Sequence, residues 1–140
     1  MVNAETQWRR GAEEKVENIL SGQIVDAAIE VHRMLGGPGL LESLYEEALY
    51  HELKQRNIAV QAQVQVPVCY KNIILRDPMR VDLLVDRKVI IEVKATEKEL
   101  AIHKAQVLTY LRLTKLKLGL VLNFGQERLL DGLKRVVNNL

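Results

Sequence analysis

The chain has 140 residues, with 20 Lys and Arg against 18 Asp and Glu, for a net charge of +2. That length suits one domain with a real hydrophobic core, and a composition 48% hydrophobic and 27% charged excludes a disordered chain. So even a charge balance also excludes the strongly basic footprint of many nucleic-acid binders, so any such binding has to come from local arrangement.

The N-terminal MVNAETQWRRGAEEK is polar and lacks the apolar core of a secretory leader, and no run reaches the length of a membrane span. A single cytoplasmic domain over residues 1–140 is expected, with residues 1–15 a helical extension or frayed. Ile24, Ala27, Ala28, Val31 and Leu35 recur at helical spacing, which predicts an amphipathic helix from about Val16 to Leu35. The GGPG segment at 36–39 ends it, because Pro38 cannot continue a helix. A second helix is predicted from near Leu40, burying Leu41, Leu44, Tyr45, Ala48, Leu49 and Leu53, and fading at Arg56-Asn57.

Residues 60–70, VQAQVQVPVCY, alternate with period 2 and read as a half-buried strand, with Pro67 marking an edge or a bulge. Cys69, the one cysteine, reads there as a buried structural thiol, and no internal disulfide is possible. A turn at Lys71-Asn72, a short IIL run and a loop at Arg76-Asp77-Pro78 follow. Met79 to Val85 and Lys88 to Ala95 then form a tight β-hairpin. A third helix over about Lys98–Leu113 precedes a buried strand, Lys117–Phe124, ending in NFG. Leu133–Val137 reads as a short strand or terminal turn.

In the hairpin, Val81, Leu83 and Val85 share one face, as do Val89, Ile91 and Val93. Since a slip of one residue turns a strand over, these faces align when Val85 opposes Val89 and Val81 opposes Val93. Asp82 then lies across from Glu92, with Lys94 on the same side. Carboxylates about 5 Å apart repel by roughly 3 kcal/mol at an effective dielectric of about 20, which a hard divalent cation such as Mg²⁺ relieves. The competing reading is a solvated face carrying surface ion pairs among Arg80, Asp82, Glu92 and Lys94. Against it, Leu84 and Ile90 share that face.

Asp82 followed by Glu92-Val93-Lys94 on the adjoining strand, after two helices, resembles the PD-(D/E)XK nuclease superfamily. Gln106 and Tyr110, four apart in HKAQVLTYLRL, resemble the Q-x-x-x-Y motif of its RecB-like branch. Gly39, Glu42 and Tyr45 read G-x-x-E-x-x-Y, the string that names the GxxExxY family of the superfamily. VHRMLGGPGLLESLYEEAL, RVDLLVD, VIIEVKA, HKAQVLTYLRL and LGLVLNFG follow in the same order over roughly residues 24–125. GGPG is a longer turn than that family leads one to expect.

The resemblance implies an α/β (α+β) restriction-endonuclease-like core, a central mixed β-sheet flanked by helices. It implies Asp82 and Glu92 as ligands of Mg²⁺ or Mn²⁺, with the Val93 carbonyl, Glu42 as a further ligand, and His32 like the helix-one histidine of some RecB-like nucleases. A hydrogen-bonded structural role for His32 is at least as good a reading. Lys94 would position the attacking water and offset phosphate charge, while Tyr45 would brace the site. His103, Gln106 and Tyr110 share one helical stripe and would line a groove beside the metal. The implied activity is hydrolysis of nucleic acid, DNA before RNA, and a homodimer would let so small a domain span a duplex. The alternative is a non-catalytic nucleic-acid- or protein-binding module on the same fold.

Overall fold

The computed structural model describes residues 15–140, so the expected N-terminal extension lies, apart from Lys15, outside the described residues. Helix α1 (Val16–Met34) buries Leu20, Ile24, Ala27, Ala28 and Val31 along one stripe. Gly36 and Gly37 end it with φ of 85° and 89°, a conformation that costs a residue with a Cβ but not glycine. Leu35, expected inside, is partly exposed. Helix α2 (Glu42–Gln55) buries Tyr45, Leu49 and Leu53. Leu41 and Leu44, assigned to that face from sequence, are exposed, since the helix meets the core only from Tyr45 onward.

Strand β1 (Val60–Val66) stops before Pro67, which has no N–H to extend the ladder. The expected single strand over 60–70 is therefore two pieces. Cys69–Tyr70 (β2) pairs instead with Ile73–Ile74 (β3) in a separate antiparallel hairpin, and Cys69 is exposed there, not buried. Strands β4 (Met79–Val85) and β5 (Val89–Lys94) form the predicted hairpin. Helix α3 (Ala101–Thr114) starts three residues later than expected, and β6 (Leu118–Asn123) and β7 (Leu133–Val137) complete the chain.

The sheet order is β1-β4-β5-β6-β7, with β5 and β6 parallel and the other neighbours antiparallel. The sheet is thus mixed, and Pro67 follows an edge strand, as its missing donor requires. Helices α1 and α2 cover one face over a core of Leu83, Ile91, Leu120 and Phe124; α3 covers the other over Val81, Ile90, Val107 and Val121. All six β6 residues are buried, the continuous apolar pattern of a strand covered on both sides. No helix among the described residues is long and apolar enough to cross a membrane.

Alternation fails at one level of the sheet. Val60, Leu83 and Val85 face α1 and α2, whereas Val64, Val66 and Val81 face α3. The change falls between the pairs Ala62↔Leu83 and Val64↔Val81, at Gln63 and Asp82, and Gln63 has φ 54°. Val81 therefore does not share a face with Leu83, as its spacing suggests it should.

Candidate active site

The β4–β5 ladder runs Val85↔Val89, Leu84↔Ile90 and Leu83↔Ile91, the register that the aligned valine faces call for. It stops there, and the anticipated pairing of Val81 with Val93 does not form. At the level where the strands twist apart, the Val93 N–H donates instead to the Asp82 carboxylate at 2.8 Å. In antiparallel pairing a residue turns its N–H and C=O to the same neighbour. The Val93 carbonyl is accordingly aimed toward the opening that Asp82 occupies.

Glu92 lies beside it, only 3% exposed. Burial pushes its carboxyl up to about 9, and a hydrogen bond to Asp82 and that residue's charge push the same way, against the pull of Lys94. At neutral pH the pair holds a proton unless a cation takes its place. The Tyr110 hydroxyl is pushed up to about 12 by burial first and then by the Glu92 and Asp82 charges, with Gln106 pulling the other way. Of the predicted α3 stripe, Tyr110 therefore feels the acidic pair directly, and Gln106 acts on Tyr110. His103 feels Lys94 but is held below the usual imidazole range mainly by desolvation.

The end of β5 that carries Lys94 is fixed by its neighbour. Lys94 pairs with Asn123 on β6, and its carbonyl accepts the Phe124 N–H at 2.8 Å. Buried Asn123 accepts from the N–H groups of Thr96 and Gly125, both at 2.9 Å, and donates to the Thr96 carbonyl at 3.0 Å. A Cβ at Gly125 would stand 2.3 Å from the Thr96 oxygen, so the NFG turn has room only for glycine. These bonds hold the strand end rigidly, as a site that must place an ammonium requires.

From the other side α2 supplies two carboxylates. Glu42, in its first turn, is raised by desolvation, lowered by Lys94 and raised by Asp82. Glu46, one helical turn on, is pushed up to about 7 by burial, with Gln63 opposing and Asp82 adding both charge and a hydrogen bond. Gln63 donates to both Glu46 oxygens, at 2.9 and 2.7 Å. Neither Glu46 nor Gln63 stands out in the sequence. The i, i+4 spacing from Glu42 was the available signal for Glu46; nothing announces a glutamine with positive φ.

Tyr45 explains how α2 is aimed. It is fully buried, stacked on Phe124 with ring centroids 4.7 Å apart. Its hydroxyl donates to the Gly37 carbonyl at 2.7 Å and accepts the Leu40 N–H at 3.1 Å, closing the loop in which Gly39 has φ 119°. His32 is placed differently from the acidic group. Its Nε2 donates to the Gln126 carbonyl at 3.0 Å, its ring lies against Phe124, and it is not among the groups acting on Glu92.

Asp82, Glu92 and the Val93 carbonyl are hard oxygen donors, and a cation among them would take the place of the proton that the buried pair holds. Among the described residues no three His, Cys, Asp or Glu side chains converge closely enough to hold an ion alone. Oxygen donors of this kind suit a hard divalent cation such as Mg²⁺ or Mn²⁺.

A model of the PD-(D/E)XK nuclease superfamily matches residues 18–136, which takes in both N-terminal helices, the β4–β5 hairpin, α3 and most of β7. Searches of the curated proteins and of the solved structures find no match.

Proposed function

The chain belongs to the PD-(D/E)XK nuclease superfamily, and from that membership we propose that it hydrolyses phosphodiester bonds of DNA with Mg²⁺ or Mn²⁺. The observation that carries this reading is the end of the β4–β5 ladder. There the Asp82 carboxylate, bound to the Val93 N–H, meets buried Glu92. Asp82, Glu92 and the Val93 carbonyl would hold the ion, with Glu42 approaching from α2. A divalent ion so bound supplies Lewis acidity at phosphate and lowers the pKa of water. Lys94 orients the attacking water and offsets charge on the phosphate oxygens. Tyr110, with Gln106 beside it, faces the Glu92 carboxyl from α3, and Glu46, held by Gln63, adds its charge beside Asp82 from α2.

The finer placement in the GxxExxY family is supported by what its three named positions do here. Gly39 takes a backbone angle suited to glycine, Tyr45 ties the loop shut, and Glu42 opens α2 within reach of the charges of Lys94 and Asp82. The test incubates purified protein with linear, circular and single-stranded DNA and with RNA, each with Mg²⁺ or Mn²⁺, beside Lys94→Ala. Cleavage by the wild type that Lys94→Ala loses supports the proposal. Cleavage that survives in the variant marks a contaminant. Equal Mn²⁺ binding by the wild type and Asp82→Ala in calorimetry argues for a non-catalytic module.

A further inference from the structure

The β2–β3 hairpin plays no part in the site as described. It is short, with two residues per strand, and it buries none of its side chains. Tyr70 is 59% exposed, Ile73 64% and Ile74 68%. A two-stranded hairpin of this size has no core of its own, and contiguous exposed apolar side chains mark a contact surface. The pairing Tyr70↔Ile73 puts these two on one face, with Ile74 on the other.

The cations around it indicate which contact. Lys71, Arg76 and Arg80 fall within ten residues against a single acid, Asp77, and none of the three makes an ion pair among the described residues. The Lys71 ammonium stands 5.5 Å from the centre of the Tyr70 ring. A second copy of the chain would bring the same cations face to face across a two-fold contact. So few residues also fall far short of the roughly 20–30 per side of a stable protein interface. A polyanion matches both the charge and the aromatic face.

The hairpin leads along the chain into β4, the strand that carries Asp82. Met79, the first residue of β4, lines a surface groove with Ile102, Ala105, Gln106 and Thr109. Gln106 and Glu92 both act on the Tyr110 hydroxyl.

We propose that the β2–β3 hairpin is a nucleic-acid arm, with Tyr70 stacking on a base, Ile73 packing against it, and Lys71, Arg76 and Arg80 contacting phosphates. The proposal deepens the nuclease reading and rests on it for the class of partner. Aromatic stacking on a base tolerates any sequence, so the arm adds affinity without sequence choice.

The test measures fluorescence anisotropy of labelled duplex and single-stranded DNA in EDTA, where cleavage cannot intervene. Tyr70→Ala and, separately, Ile73→Ser are each expected to weaken binding, Tyr70→Ala by about tenfold or more. Arg76→Gln is expected to reduce the slope of log K against log salt by about one. Thermal unfolding of all three variants should match the wild type, since the side chains are exposed. In parallel, hydrolysis of bis(p-nitrophenyl) phosphate with Mn²⁺ reads the catalytic centre by itself. Wild-type affinity in Tyr70→Ala and Ile73→Ser overturns the arm, as does a wild type that binds no nucleic acid. A wild-type dimer that Ile73→Ser turns into a monomer with unchanged DNA affinity overturns it in favour of self-association. Hairpin-dependent binding without hydrolysis of either substrate leaves the arm standing and sinks the nuclease reading alone.

Discussion

Glu92→Gln offers a direct measure of the charge stored at the site. The glutamine keeps the shape of the buried side chain, and its amide can donate to the Asp82 carboxylate as the protonated glutamic acid does. In the folded protein the Glu92 carboxyl is raised from 4.5 to about 9. The native state therefore binds this proton more tightly than the unfolded chain. Its contribution to stability is fully present below about pH 4.5 and is lost as pH rises toward 9. At about 1.36 kcal/mol per pH unit, the wild type loses about 3 kcal/mol between pH 4.5 and 7 through the Asp82–Glu92 pair. Glu92→Gln has no proton to lose there. In urea unfolding with EDTA, the two proteins should have similar stability near pH 4.5, and the variant should be more stable by about 3 kcal/mol at pH 7. The gap should widen further toward pH 9. Added Mn²⁺ should narrow it by stabilising the wild type, because an ion that binds only the native state adds to its stability by mass action. A gap that stays constant from pH 5 to 9, or a wild type that gains stability over that range relative to the variant, refutes the assignment of the raised carboxyl to Glu92.

Lys94→Ala should lower nuclease turnover by about a hundredfold to a thousandfold while leaving the circular dichroism spectrum unchanged, because the side chain is only half-buried. Tyr45→Phe removes the hydroxyl that joins Gly37 and Leu40. It should cost about 1–2 kcal/mol in urea unfolding and reduce kcat/KM by loosening the loop before Glu42. Gln63→Ala removes two hydrogen bonds to Glu46 that lower its carboxyl, so the Glu46 titration, followed by carboxyl ¹³C NMR, should move above about 7. Gly119→Ala places a methyl 2.3 Å from Val107 Cγ1 and should destabilise the α3–β6 packing by about 1–3 kcal/mol in thermal unfolding.

The helices and the hairpin were legible because their signals are local. The α1 stripe repeats every three or four residues, and the valines of β4 and β5 permit one register, so the pairs from Val85↔Val89 to Leu83↔Ile91 followed from pattern alone. Elsewhere local reading misassigned burial. Cys69 sits among apolar residues yet lies on an exposed hairpin, because apolar sequence does not say which segments the domain has room to cover. Leu41 and Leu44 fit the α2 stripe but lie beyond the part of the helix that meets the sheet.

The sequence by itself determined the mixed α/β order and the grouping of Asp82, Glu92 and Lys94 near one another, because side-chain alternation and hydrophobic register act within a few residues. Only the tertiary structure decided how that group is used. The β4–β5 ladder ends one residue before the acidic pair, where the Val93 N–H goes to the Asp82 carboxylate, beside the left-handed Gln63 of the edge strand. Gln63 also holds Glu46 of α2, which feels the Asp82 charge. Such a junction depends on the conformation of a neighbouring strand some 20 residues away in sequence, and alternation within one strand carries no record of it.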